Sequence, residues 1–533
     1  MSNNKKITVL MPLILALILI TGVFIGININ NRGTGDRIFI YPRNENKLNN
    51  LLNYIEEEYV DSVDKNELIE NIIPEILEQL DPHSVYIPAS ELKELNEPLE
   101  GNFEGIGVQF NVTDDTVVII NTISGGPSEK VGILAGDRII KIEDSLVAGQ
   151  KISSNDVVKM LKGPKGTKVK VAVLRKGIND LLDFEITRDK IPLYSIDIAY
   201  MVTKDIGYIK ISRFSRTTYK EFKDAIAKLN EAGLKKMILD LRGNSGGLMD
   251  IATKIANEFL PANKLIVYTK GKAHPRQDVY SKANGSCLDM DLAVLIDEWS
   301  ASASEILAGA IQDNDRGTII GRRSFGKGMV QEQTMFNDGS ALRLTIARYY
   351  TPSGRSIQKP YDEGTEKYYD DLHQRYTNGE LIVKDSIHFN DSLKFYTPKG
   401  KVVYGGGGIM PDIFIPYDTV SYSPYYQTVS NKGLIYSFAF NYADNNRSKL
   451  SKYKNHMSLN KYLKKQNILD QFISYAESEG IKKDPEGIKK SKDVLQIHLR
   501  ASIARNIMDN EGFYPIISEI DQPLLKAVEI LEK

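Results

Sequence analysis

The sequence predicts an α/β protein into which a second, mostly β domain is inserted, with helical segments at both ends. Three observations carry that class. From about 191 to 418 short apolar runs alternate with helix-spaced apolar patterns, as strands alternating with helices do. From 100 to 190 the runs are short, rich in β-branched residues and separated by Gly-containing turns. From 44 to 99 apolar residues recur every three or four positions, with Leu48, Leu51, Leu52, Ile55 and Tyr59 on one face of a helix.

The elements follow in chain order. Residues 1–30 form an anchor or signal segment: Ile7 through Ile27 are almost continuously apolar, long enough to cross a bilayer core of about 30 Å. Lys5 and Lys6 precede them, so the positive-inside bias keeps the N-terminus cytoplasmic and exports everything after Asn28. No small-x-small cleavage site follows Gly26 and no Cys follows the run; an uncleaved membrane anchor is expected rather than a removed signal peptide or a lipoprotein. Residues 44–99 are the N-terminal helical region. In 100–190 the strand candidates are Val117–Ile120, Arg138–Ile142 and Val169–Val173. In 191–418 they include Ile206–Ile211, Met237–Leu241 and the alternating Ala341–Tyr350, with helices expected over Tyr219–Ala232 and Leu248–Leu260. Beyond Pro416 a Tyr- and Asn-rich linker is expected to give way to Lys- and Glu-rich helices that end near Leu524–Leu531, a C-terminal helical extension over 419–533 whose role the sequence does not state.

Composition sets the frame for function. At 533 residues three or four domains are expected, and 42% hydrophobic content is ordinary for folded protein. A net charge of −1 points to no nucleic-acid partner. Cys287 is alone and cannot form an internal disulfide. With six His and no His-x-x-x-His or Cys-x-x-Cys pair, no metal and no other cofactor is expected.

The chemistry lies in two segments. Ser300-Ala301-Ser302-Ala303-Ser304-Glu305 follows the apolar run Leu292–Ile296 and opens a helical pattern at Ile306, Leu307, Ala310 and Ile311, which puts Ser302 on a strand-to-helix corner. Lys327, in Phe325-Gly326-Lys327-Gly328-Met329-Val330-Gln331, lies 25 residues on. A serine is a poor nucleophile until a base takes its proton, and a lysine does so only when neutral. Its pKa must then fall from about 10.4 towards roughly 7 to 8, a cost of about 4 kcal/mol that apolar burial can supply. Gly326 and Gly328 would allow the close packing, and Gln331 could accept an amine proton and orient the lone pair. The bland reading of Ser302-x-x-Glu305 is a helix capping box. A His-based triad is disfavoured because His83 sits in a Pro-bounded turn and His274 in a loop.

The match widens beyond this pair. Asp240-Leu241-Arg242-Gly243-Asn244-Ser245-Gly246-Gly247, Leu80-Asp81-Pro82-His83-Ser84 and Gly406-Gly407-Gly408-Ile409-Met410-Pro411-Asp412 resemble, in order, elements of the carboxy-terminal processing proteases, also called tail-specific proteases. The resemblance covers about 44–418 and implies a crotonase-like core of strands and helices, with Ser302 as nucleophile, Lys327 as general base and Gln331 as its orienting residue. The oxyanion of the tetrahedral intermediate would be received by the amides of Ala303 and Gly247, with Gly246 the alternative to Gly247, as two neighbours cannot be separated by spacing. Gly105-Ile106-Gly107-Val108 resembles a PDZ carboxylate loop and Val131–Ile140 the next PDZ signature; Val108 and Phe110, on one side of a strand, would line a pocket for an apolar terminal residue.

The expected function is a serine endopeptidase that captures free C-termini of polypeptide substrates and cleaves at or near them. The resemblance, with the apolar run, places it in the bacterial cell envelope, on the periplasmic side and anchored in the inner membrane, with a homo-oligomer or an adaptor protein as further partners. The alternatives are a catalytically silent PDZ scaffold, for which the intact Ser302, Lys327 and Gln331 are a surplus, and a crotonase-type acyl-thioester enzyme, which needs neither anchor nor PDZ insert.

Overall fold

The computed structural model describes Thr21 and residues 47–113, 115–387 and 390–533. The apolar run 7–27 therefore lies outside the described residues except for Thr21, and among those described no helix is long and apolar enough to cross a membrane. Two compact units divide the chain at Asn71. In the first, helix Lys47–Glu58 buries Leu52, and the Lys65 ammonium hydrogen-bonds Asn53. Helix Lys65–Glu78 runs across the division.

The second unit is built on a six-stranded sheet. Ile196–Met201 is antiparallel to Ile206–Ile211; from there Lys236–Asp240, Asp291–Ile296, Thr318–Gly321 and Ile413–Phe414 add in parallel. Its central strands are buried on both faces, which explains their unbroken apolar sequence. Ile209, Met237, Leu239, Leu292, Val294 and Ile296 face a core shared with helices Thr218–Glu231, Met249–Phe259 and Ala303–Asp313. Ile206, Tyr208, Ile238, Ala293 and Leu295 face the other way, onto Leu524, Ala527 and Leu531 of the C-terminal helix Gln522–Glu532. Helix Gln522–Glu532 thus packs on the second face of this sheet.

A second sheet is organised by the long strand Ala341–Tyr350. Met329–Met335 pairs with one edge, and Val85–Ile87 and Leu265–Lys270 share the other. The segment expected to be wholly helical, 44–99, therefore contains a strand, which draws the Asp81–Ser84 turn to this sheet.

The inserted domain hangs from a two-stranded ribbon, Asn102–Gly105 antiparallel to Asp189–Pro192. Between them the strands Val108–Thr113, Thr116–Thr122, Arg138–Ile142, Lys168–Leu174 and Leu182–Thr187 form an antiparallel sheet around Ile119, Ile139, Val157, Val171 and Val173. Asp137 is buried and takes a bidentate bond from Arg175 at 2.8 and 2.7 Å, which fixes the Val131–Ile140 signature in place.

The Tyr- and Asn-rich stretch after Pro416 is not a linker. It forms helices Pro424–Asn431 and Leu434–Leu450, because Tyr425, Tyr426, Phe438 and Ala439 are buried against Phe472, Leu495 and Leu499 of the following helices. Packing overrides the modest helix propensity of Tyr and Asn.

Candidate active site

Ser302 ends the turn after strand Asp291–Ile296 and caps helix Ala303–Asp313, as the spacing predicted. Its backbone is left-handed, φ 54° and ψ −112°, a conformation that costs a non-glycine residue about 1–3 kcal/mol. The tight geometry is held from the partner side. Gly246 is pressed against the turn so closely that a methyl group there would lie 2.8 Å from Ser302 Cβ, 2.9 Å from Ala301 O and 3.0 Å from Ala303 N. Asn244 completes the joint: its carbonyl accepts from Ala301 N–H at 3.0 Å and Ser304 Oγ at 2.9 Å, and its side chain accepts from Gly246 N–H at 2.8 Å.

Gly246 is thereby removed as an oxyanion donor, since its N–H is already spent. The amides of Gly247 and Ala303 make no hydrogen bond among the described residues. Gly247 is exposed at φ 135°, and Ala303 is buried beneath the glycine turn at the helix N-terminus.

The backbones of Lys327 and Ser302 are linked through two buried side chains, Glu305 and Tyr349. Glu305 Oε2 accepts from Ser302 N–H at 2.8 Å and from Lys327 N–H at 2.9 Å, while Oε1 accepts from Ser324 Oγ at 2.6 Å and Gly326 N–H at 2.7 Å. The capping reading of Glu305 is correct and incomplete: the same carboxylate that caps the helix also holds the lysine loop. Tyr349, on strand Ala341–Tyr350, does the converse, sharing its hydroxyl proton between Lys327 O at 2.7 Å and Ser302 O at 3.1 Å. Donors and acceptors of both backbones are thus tied to common side chains, which sets their relative position without using the serine hydroxyl or the lysine amine.

The electrostatics disfavour the ammonium relative to an exposed lysine. Burial, and next the Arg343 guanidinium, push the Lys327 pKa below its ordinary value, with Asp81 and Glu305 pulling the other way. Burial raises the Glu305 pKa, opposed by its four donors. Gln331 lies four residues beyond Lys327, on strand Met329–Met335, and donates its amide N–H to Thr345 Oγ1 at 3.1 Å, which leaves the amide oxygen as its acceptor end. Thr345 Oγ1 in turn donates to Asp81 Oδ1 at 3.1 Å.

Asp81, Tyr349, Thr345 and Asn244 are site residues that sequence reasoning did not single out. Only Asp81 and Asn244 stood in quoted motifs, and nothing in residue type marked their partners. His83 is not placed as a base. Its ring Nε2 is 2.9 Å from Tyr368 OH, and burial, with Lys327 second, holds its pKa down at about 4. His274 sits in a loop where its carbonyl accepts from Gly271 N–H at 2.8 Å. Among the described residues no group of three His, Cys, Asp or Glu could hold a metal ion.

On the inserted domain, Gly105, Ile106, Gly107, Val108 and Phe110 line one cavity of about 230 Å³, closed by Val158, Leu161 and Lys162. The carbonyls of Ile106 and Gly107 are taken by Ser128 N–H and Ile123 N–H at 3.1 and 2.9 Å. Their own N–H groups have no acceptor among the described residues, so the loop presents donors beside an apolar pocket.

Comparison with known proteins agrees with these observations. Residues 205–367 match the model of peptidase family S41, 105–186 that of the PDZ domain, and 425–509 a family of unknown function, DUF8443. The chain is 38% identical over 317 residues to a carboxy-terminal-processing protease of Bartonella bacilliformis, covering 58% of this chain and 72% of that one. It is 36% identical over 327 residues to the carboxy-terminal processing protease CtpA of Bacillus subtilis, covering 61% and 68%. Among solved structures, the photosystem II D1 C-terminal processing protease is similar at 23% identity and a TM-score of 0.35, over 70% of this chain and 92% of that one. The chain therefore belongs to the carboxy-terminal processing proteases, PDZ-bearing serine endopeptidases of peptidase family S41.

Proposed function

We propose that this protease works through a Ser302–Lys327 dyad and is guided to its substrates by their free C-termini. The observation that supports the dyad is the double bridge through Glu305 and Tyr349, which ties the backbone of a strained serine to that of a lysine whose surroundings disfavour the ammonium. Ser302 Oγ attacks the scissile carbonyl as its proton passes to the Lys327 amine, with the Gln331 amide oxygen orienting that amine. The negative charge on the carbonyl oxygen is received by Gly247 N–H and, once the glycine turn shifts outward, by Ala303 N–H; each such donor is worth about 3 kcal/mol. Lys327 then gives its proton to the departing amine, takes one from the water that attacks the acyl group, and returns it to Ser302 Oγ as the acid product leaves.

Tail capture rests on the Gly105–Val108 loop. Its unpaired amides can receive a terminal carboxylate while Val108, Phe110, Val158 and Leu161 take an apolar last side chain. The apolar segment before Asn28 would anchor the enzyme in the inner membrane with its protease on the periplasmic side, facing exported proteins. A silent PDZ scaffold is the weaker reading, because binding alone has no use for a serine held at φ 54°.

Two peptides identical except for a free or amidated C-terminus, ending in an apolar residue, test the tail claim. The free acid is expected to bind at least tenfold more tightly, since amidation removes the charge that makes these hydrogen bonds strong, and to be cleaved faster because docking raises its local concentration. Equal binding and equal rates would leave an endopeptidase without tail recognition.

A further inference from the structure

Among the described residues, the C-terminal extension meets the Gly246–Gly247 turn segment at Arg242. Arg242, in the turn that carries Gly246 and Gly247, donates from Nη1 and Nη2 to the two carboxylate oxygens of Asp521 at 2.8 and 2.7 Å. Its Nε and Nη2 also reach Asp240 at 3.0 and 2.7 Å. Asp240 is buried and also accepts from the Arg242 backbone N–H at 2.9 Å and from Tyr208 OH at 2.6 Å; Lys210 Nζ donates to the Arg242 carbonyl at 2.8 Å. The cluster holds two carboxylates against one guanidinium and one ammonium, so its charge balances only while Asp521 is present. From Arg242 the constraint passes along a short rigid turn: Gly243 N–H donates to Asp297 Oδ1 at 2.9 Å, Asn244 is bonded to Ala301 and Ser304, and Gly246 lies against Ser302.

Asp521 is also the N-cap of helix Gln522–Glu532, accepting from Leu524 N–H at 3.2 Å. That helix is seated on the far face of the protease sheet by Leu524, Ala527 and Leu531. The cap is therefore fixed both along and across the sheet, and Arg242 is held by an anchored group rather than a mobile side chain.

We propose that Asp521 is a positioning residue for proteolysis: through Arg242 it sets the Gly246–Gly247 turn in the geometry that receives the oxyanion. The inference rests on the Ser302–Lys327 reading and adds to it a requirement for the C-terminal segment, which lies beyond the residues that match the S41 peptidase family. A one-ångström error in such a turn is enough to cost catalysis heavily while leaving substrate binding in place.

The test is Asp521→Asn in the full chain. Asn caps helices as well as Asp does, so the helix stays capped while the bidentate ion pair is lost. Turnover of a free-tail peptide is expected to fall about tenfold to a hundredfold with KM unchanged. Affinity for a peptide aldehyde, whose adduct with serine places an oxyanion on the turn, should fall by the same factor, and affinity for an uncleavable tail peptide should not. Glu529→Gln, which removes only the exposed pairs with Lys526 and Lys533 on the same helix, should match the wild type. If Asp521→Asn is unstable, the Arg242→Lys and Asp521→Glu single and double variants read the same coupling: non-additive losses in kcat are expected, and additive ones would overturn the proposal. An unchanged kcat in Asp521→Asn would overturn it as well. Ser302→Ala in the same assay separates the two levels, because an inactive Ser302→Ala beside a fully active Asp521→Asn refutes only the positioning role.

Discussion

Replacing Lys327 by Met is expected to abolish peptide hydrolysis, with kcat/KM falling on the order of 10⁴-fold or more, since the members of a nucleophile–base pair fail as a unit. The variant should nevertheless fold at least as well. A lysine whose pKa is lower in the folded than in the unfolded protein binds its proton more readily when unfolded, so its burial costs stability at neutral pH, and less as the pH rises. Met keeps the length and apolar stem without that cost, and an unchanged or raised Tm would separate loss of chemistry from loss of fold. In the wild type the same shift predicts that kcat/KM climbs with pH as the Lys327 ammonium gives up its proton, beginning below the range of an ordinary lysine. His83 should contribute no limb near neutrality, because its pKa lies at about 4. A profile that keeps its shape in Lys327→Met would contradict the assignment.

Glu305→Ala should be as damaging to activity and far more damaging to the fold. The carboxylate satisfies four donors, Ser302 N–H, Ser324 Oγ–H, Gly326 N–H and Lys327 N–H, and is completely buried. Each donor left without an acceptor costs about 1–3 kcal/mol, so the sum approaches the whole stability of a typical domain. Glu305→Gln keeps the volume and one accepting oxygen, but its amide NH₂ faces two of the donors it should receive. We expect Gln to fold with a lowered Tm and to retain no more than about 1% of wild-type turnover, because both the serine and the lysine backbone lose their common anchor. Thermal unfolding and initial rates on the same preparation measure both effects. Wild-type rates in Glu305→Gln would mean that the bridge is a helix cap and nothing further.

These two residues mark how far the sequence could be read. Ser302 was legible because an apolar run, a small-residue turn and a helical pattern meet at it, and Lys327 because glycines flank it within a family-like segment. Glu305 was legible only as a local cap, since its bonds to Ser324, Gly326 and Lys327 join a side chain to groups about 20 residues away, two of them backbone amides that leave no mark in residue type. Tyr349 is the same case from the other side: its strand was evident, its two carbonyl partners were not. Asp81 and Thr345 meet only because Val85–Ile87 pairs with Ala341–Tyr350, a register that no pattern within 44–99 announces. Between Gly246 and Gly247, spacing left the choice open; the bond from Gly246 N–H to Asn244 leaves only Gly247 with a free amide. The C-terminal helix was read from its Leu524–Leu531 pattern, but an amphipathic stripe does not say which surface it covers, and here that surface is one face of the six-stranded sheet. The Tyr- and Asn-rich helices were misread as linker because their stability comes from tertiary burial.

The most direct measurement is hydrolysis of a free-tail peptide by the purified full chain with Ser302 intact and with Ser302→Ala, in the presence of a metal chelator. The intact protein should cleave the peptide at a rate unaffected by chelation, and Ser302→Ala, folded and still binding the tail, should show no cleavage above background. Retained hydrolysis in Ser302→Ala would place the chemistry elsewhere in the molecule.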